Sequence, residues 1–277
     1  MIQLGKINLL EIKRFVSFGL YLGDDEDEVL LPIKYHQREY EEGEKIPVFV
    51  YLDNEGRGIA TTLTPKITLN SFAVLTAREV NDFGAFFEMG IEKDLFVPFK
   101  EQREKVQAGD SYLVYMYIDD KTERLVGTTK INKFLNPDTA ELQENQKVNV
   151  LVFAENQLGY SVIVDNQFRG MLYHNELLQK PVIGEVYEAY ISAIRPDGKI
   201  DVRQQKSGTQ AVDENVEKLR ELLEKKGFIT LTDNSTPEEI YEQLKMSKKA
   251  FKKAVGNLYK NREILIEDNG IRLTAND

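Results

Sequence analysis

The sequence predicts a mainly β chain with an α-helical end: three tandem five-stranded β-barrels followed by a small domain of three helices and a hairpin. Three observations carry this. One pattern of short apolar runs occurs three times before position 208, the apolar period then changes from two to about 3.6, and a tight-turn signal closes the last segment. At 277 residues and 42% hydrophobic content the chain has room for two to four packed domains.

The first copy of the repeat reads Phe15-Val-Ser-Phe-Gly-Leu-Tyr-Leu22, Val29-Leu-Leu-Pro32, Gly43-Glu-Lys-Ile-Pro-Val-Phe-Val50 and Gly56-Arg-Gly-Ile-Ala-Thr-Thr62. The second reads Val80-Asn-Asp-Phe-Gly-Ala-Phe-Phe87, Leu95-Phe-Val-Pro98, Gly109-Asp-Ser-Tyr-Leu-Val-Tyr-Met116 and Arg124-Leu-Val-Gly-Thr-Thr129. Glycine and proline are 13 residues apart between Gly19 and Pro32 and 14 between Gly84 and Pro98, and both copies then count 11 to the next glycine. The third copy is looser: Gln157-Leu-Gly-Tyr-Ser-Val-Ile163, Gly170-Met-Leu-Tyr173, Gly184-Glu-Val-Tyr-Glu-Ala-Tyr-Ile191 and Lys199-Ile-Asp-Val202. Five short β-rich runs in so few residues are too little for a sandwich and suit a small closed barrel of OB type, which leaves no exposed sheet edge. Turn-forming residues at Thr64-Pro65, Asn136-Pro137 and Ser207-Gly208 set expected domains at 1–65, 66–136, 137–207 and 212–277.

On a regular strand, residues three apart face opposite ways, so Phe18 with Tyr21, or Phe83 with Phe86, share a face only if the intervening glycine hosts a bulge. Such a bulge is expected, and it would give two barrels a pair of rings on which a base could stack. Leu20, Leu22 and Ala85 then face the core, and Phe49, Tyr115 and Tyr187 serve packing.

In the last domain Val216, Leu219, Leu222 and Leu223 share one helical face and Gly227 ends it. Thr236, Pro237 and Glu239 form a capping box for a second helix, and Ser247 starts a third. Ile264-Leu-Ile266 and Ile271-Arg-Leu273 flank a turn at Glu267-Asp-Asn-Gly270. Three helices with such a hairpin resemble the winged-helix fold. Phe251, Ala254, Val255 and Leu258 are the buried stripe of the third helix, and Lys245, Lys249, Lys252, Lys253 and Lys260 are its opposite, cationic side.

A net charge of −10 argues against a surface that tracks a polyanion throughout, so contact with nucleic acid must be local and lean on stacking. The chain has no cysteine, which excludes disulfides and thiolate chemistry and suits a reducing cytoplasm. The first fifteen residues are too broken by charge for a signal peptide, and no run reaches membrane-spanning length. His36 and His174 stand in different copies without partners for a metal site. The acidic Asp24-Asp-Glu-Asp-Glu28 lacks the ligand spacing of a calcium loop. No phosphate-binding glycine loop is present, so neither a cofactor nor catalysis is expected.

The Phe-Gly-x-aromatic run, the Leu-x-Val/Leu-Pro segment and the glycine-led fourth strand resemble the S1 RNA-binding domain. The order of three such copies and a helical end is similar to the conserved virulence factor B family of bacterial RNA-binding proteins. The resemblance implies nucleic-acid contacts at Phe18, Tyr21, Phe83 and Phe86. It also implies acid-base pairs in the last turn at Asp53 with Arg57 and Asp120 with Arg124. Pro32, Pro98 and Tyr173 occupy a strand-three position where many S1 domains carry histidine. The third copy departs further, with Leu158 and Ser161 in place of the rings and Arg195 with Lys199 in place of the pair, although Tyr173 and His174 offer some stacking surface. Lys249, Lys252 and Lys253 are expected to meet phosphates. The expected partner is single-stranded RNA, with ssDNA and ribosome or polymerase contacts as further candidates. The expected role is post-transcriptional regulation, and the rival reading is a protein-protein adaptor of the translation or transcription machinery.

Overall fold

The computed structural model describes residues 1–24, 27–205 and 209–274 and divides into two compact units, Met1–Phe134 and Leu135–Asp277. Asp25 and Glu26 of the acidic stretch, and the expected boundary at Ser207-Gly208, lie outside the described residues.

The first unit holds two barrels. Strands β1 (Ile7–Val16), β2 (Gly19–Gly23), β3 (Glu28–Pro32), β4 (Lys45–Leu52) and β5 (Gly58–Thr61) close in the order β1-β2-β3-β5-β4. Strands β6 (Phe72–Asn81), β7 (Gly84–Phe87), β8 (Leu95–Pro98), β9 (Ser111–Ile118) and β10 (Leu125–Thr128) run in the order β10-β9-β6-β7-β8, without the parallel ladder that joins β3 to β5. The second unit opens with another closed barrel of the same order, made of β11 (Lys147–Glu155), β12 (Gly159–Val164), β13 (Phe168–Tyr173), β14 (Val186–Ile194) and β15 (Ile200–Arg203).

Alternation explains each core. Leu20, Leu22, Ala85 and Phe87 are fully buried, while Tyr21 and Phe86 between them turn outward. The glycine shared by the three copies acts differently from the sequence expectation. The register shifts fall on the first strand of each barrel, between Ile12 and Arg14, Ala77 and Glu79, and Val152 and Ala154. The glycine instead opens the second strand where it crosses the third. A Cβ on Gly19, Gly84 or Gly159 would lie 2.2, 2.4 or 2.1 Å from the carbonyl oxygen of Leu31, Val97 or Leu172. Phe18 and Phe83 therefore sit on the hairpin turns that precede the second strands, and no bulge is needed to bring them toward the outward face.

Phe49 and Tyr51 of β4 point away from their own barrel, yet they are only 1% and 5% exposed. They belong to the core of the second barrel, together with Leu75, Phe87 and Met116. The Tyr35 and Tyr51 hydroxyls lie 3.3 Å apart, and burial, with that neighbour, raises the pKa of the Tyr51 phenol. The core of the second barrel thus takes in two rings from the first, which keeps a separate core of its own around Leu20, Leu31 and Val48.

The last domain orders α1 (Thr209–Lys226), β16 (Phe228–Ile229), α2 (Pro237–Leu244), α3 (Lys248–Lys260), β17 (Ile264–Glu267) and β18 (Gly270–Leu273), with the sheet β16-β18-β17. Leu219, Leu223, Ile240, Phe251 and Leu258 are its fully buried center. Gly227 takes φ 71 directly after α1, the left-handed geometry that ends a helix at least cost in glycine. The expected capping box is present: the Thr236 hydroxyl accepts from the Glu239 amide at 3.2 Å, and the Glu239 carboxylate accepts from the Thr236 amide at 2.8 Å. Thr236→Ala is expected to cost about 1 kcal/mol. In a domain this small that lowers the melting temperature by roughly 4–8 °C. Circular dichroism at 222 nm reads it selectively, because among the described residues every α-helix lies in this domain. Lys245 is a correction: it does not lie on α3 but caps the end of α2 in a left-handed conformation, φ 53.

Candidate nucleic-acid interface

The second barrel assembles the fullest site. Phe83, at the tip of the β6–β7 turn, is 76% exposed, held by a bond from its amide to the Asn81 side chain at 3.0 Å. Phe86 is half-buried on β7, opposite Phe96 on β8, and their ring centroids are 5.1 Å apart at 38°. These three rings line one groove of about 730 Å³, with the cations Lys100, Lys121 and Arg124 along it. Arg124 forms no ion pair among the described residues. The sequence reading missed Phe96, although the alternation of Leu95-Phe-Val-Pro98 points it outward; its neighbors Leu95 and Val97 are buried.

The first barrel presents a narrower version. Phe18 is 53% exposed on its turn. Tyr21 pairs with Leu30 across the sheet, and the Arg14 guanidinium stands 4.1 Å over its ring while also pairing with Glu28 at 2.6 Å. One face of Tyr21 is thereby already occupied by a cation.

The last-turn pairs have a structural task. Asp53 accepts from the backbone amides of Glu55 and Arg57 at 2.9 Å each and pairs with the Arg57 guanidinium at 2.8 Å. Those bonds, the Arg57 amide foremost, hold its carboxyl below the usual carboxylate range. Arg57 also pairs with Glu55, so it is held over its own turn. In the second barrel the matching acid is Asp119 rather than Asp120. Asp119 accepts from the Lys121 and Thr122 amides at 3.0 Å each, and its own amide bonds the Arg124 carbonyl at 3.0 Å, as that of Asp53 bonds Arg57. The longer second turn displaces the acid by one position, which sequence spacing counted from Arg124 does not reveal.

In the second unit the third barrel lacks the ring pair. Leu158 is exposed on the turn, and Ser161 faces Met171 across the sheet. Tyr173 is half-buried, its hydroxyl 3.4 Å from Asp201 and the Arg195 guanidinium 5.7 Å from its ring. His174 bonds the Asn156 carbonyl at 3.0 Å and meets the edge of Tyr160. Lys248, Lys249, Lys252 and Lys253 of α3 line a groove of about 320 Å³ with Asn175 of the barrel. Lys249 is ion-paired with Glu176, Lys252 lies 3.5 Å from Asp233, and Lys253 has no ion pair among the described residues.

No group of three or more His, Asp or Glu side chains that could hold a metal occurs among the described residues, and no described helix is long and apolar enough to cross a membrane.

Comparison with known proteins agrees with this architecture. The S1 domain family matches residues 4–63 and 71–130, and the CvfB-like winged helix domain family matches residues 217–273. The uncharacterized protein YitL of Bacillus subtilis is 26% identical over 271 residues, covering 94% of this chain and 90% of that protein. Conserved virulence factor B of Staphylococcus haemolyticus is 27% identical over 245 residues, covering 85% and 82%. A solved multidomain protein with nucleic acid binding domains from Streptococcus pneumoniae aligns over 98% of both chains at 23% identity and a TM-score of 0.42. S1 and winged-helix domains are nucleic-acid-binding families, and that is the role they give this protein. The chain belongs with the bacterial proteins built of S1 domains and a CvfB-like winged helix, and is a homologue of those named conserved virulence factor B.

Proposed function

We propose that the protein binds single-stranded RNA without catalysis, in the cytoplasm, and regulates gene expression after transcription. The observation that carries this reading is the groove of the second barrel. Rings at Phe83, Phe86 and Phe96 lie within one concavity beside Lys100, Lys121 and Arg124. Flat rings suit unpaired bases, and dispersed cations suit the backbone that joins them. A duplex hides its base faces and gains nothing from such a platform. The first barrel offers a second, weaker stacking point at Phe18 and Tyr21, with Arg57 beside its last turn. Tyr173 adds some stacking surface in the second unit, and the α3 cations Lys249, Lys252 and Lys253 add backbone contacts there. Separate weak contacts on one strand reinforce each other through effective concentration.

Fluorescence anisotropy of short oligo-RNA, oligo-DNA and duplexes over a range of salt tests the reading. Single strands are expected to bind, and duplexes to bind at least about tenfold more weakly, since stacking is lost. Three phosphate contacts at roughly 0.7 each predict a log–log salt slope near −2 for the second barrel's share. Absence of single-strand binding even at low salt would overturn the proposal in favor of a protein-protein adaptor.

A further inference from the structure

The groove of the second barrel is lined in part by the first, through Tyr51, Leu52 and Asn54. The β4–β5 turn of the first barrel reaches into it and contributes Asn54, which is exposed and whose side-chain amide has no hydrogen-bond partner among the described residues. The turn is not a loose neighbor. Lys93 of the second barrel extends its amine across the junction and donates to the backbone carbonyls of Leu52 and Asp53, at 2.6 and 3.1 Å. Behind this clamp Phe49 and Tyr51 of the same hairpin are sealed into the second barrel's core, and Lys34 pairs with Glu92 across the same junction. Asp53 fixes the tip of the turn through its two backbone amide bonds. An exposed amide is thus carried on a braced turn that lines the same groove as the three rings.

We propose that the two barrels form one composite site, in which Asn54 reads the edge of a base stacked on Phe83, Phe86 or Phe96 and Lys93 acts as the positioning residue for that wall. The inference rests on the single-stranded RNA reading above and deepens it. Stacking alone accepts any base, because every base has a π-face. Selection requires a hydrogen-bonding group at the base edge, and a side-chain amide offers one acceptor and two donors there. The same geometry makes the first barrel part of the second barrel's specificity, beyond whatever its own rings bind.

The test uses the full chain and uridine hexamers that carry a single central adenosine, cytidine, guanosine or uridine, with affinities measured at one salt concentration. Asn54→Asp replaces the amide with a group that only accepts. Guanine alone offers two adjacent donors on its Watson–Crick edge, so the ratio of guanosine to adenosine affinity is expected to rise about tenfold, the scale of one good bidentate base contact. Asn54→Ala is expected to flatten the ratios among the four hexamers. Lys93→Met, which keeps the aliphatic stem and removes both donated bonds, is expected to flatten them too. Asn54 is exposed, so its variants fold whatever happens at Lys93. Ratios unchanged in both Asn54 variants, with binding still weakened about a hundredfold by Phe83→Ala/Phe86→Ala, would overturn the composite wall and leave the stacking reading intact. Ratios unchanged in Lys93→Met alone would overturn its positioning role. If wild-type protein binds none of the hexamers, the stacking reading fails and this inference with it.

Discussion

The double substitution Phe83→Ala/Phe86→Ala is expected to weaken single-stranded RNA binding by roughly a hundredfold, near the low end of what two stacked bases at about 1–3 kcal/mol each would contribute. Phe83 is three-quarters exposed, so the free protein loses little packing with it. Phe86 leans on Phe96, and its truncation frees that ring without opening the core, because Ala85 and Phe87 on either side keep the barrel filled. The loss should therefore appear in anisotropy titrations while the melting temperature moves by no more than a few degrees. The matched pair Phe18→Ala/Tyr21→Ala is the internal control. Arg14 already covers one face of Tyr21, so a smaller loss is expected in the first barrel. Equal affinity of wild type and the Phe83/Phe86 variant would remove the platform on which the functional reading stands.

Much of this architecture was legible because it depends on short-range pattern. Alternation placed Leu20, Leu22 and Ala85 inside, and a 3.6 period placed Val216, Leu219 and Leu223 on the buried face of α1. Capping chemistry located the start of α2 at Thr236 because the box is local, spanning four residues. What was not legible depended on distance through space. The repeated glycine looked like a bulge from its own strand, and only the approaching carbonyl of the third strand shows why no Cβ fits there. Lys245 lies in a basic run that reads as one helix, but Met246 and Ser247 bury themselves at a helix-to-helix turn and the run breaks.

The candidate site divides in the same way. Phe83, Phe86 and Arg124 were named from the repeat and do line one groove, whereas Lys93 and Asn54 carry no motif. Their importance follows from two barrels meeting, which no repeat within one barrel encodes. Lys249 illustrates the reverse. A cationic helix face invites phosphate in the sequence, yet in the structure this lysine answers Glu176, whose carboxylate is nearly buried on the third barrel. Nucleic acid would have to compete for it, whereas Lys253 is open.

Phe49→Ala should be among the most damaging single truncations outside the binding groove. Its ring is 1% exposed, and removing a buried phenylalanine typically costs 3–5 kcal/mol. The ring belongs by chain to the first barrel and by packing to the second, so the damage is expected in both. Hydrogen exchange on the full chain should show faster exchange in peptides covering β4 and in peptides covering β6 and β9, with the second unit unaffected. Loss of protection confined to β4 would mean that the barrels fold independently and merely touch. In that case the braced turn bearing Asn54 would lose most of its support, since only polar ties such as Lys93's two bonds and the Lys34–Glu92 pair would hold one barrel against the other. Coupled loss instead makes the shared core the reason that a chain of small barrels can present a fixed wall to a flexible strand.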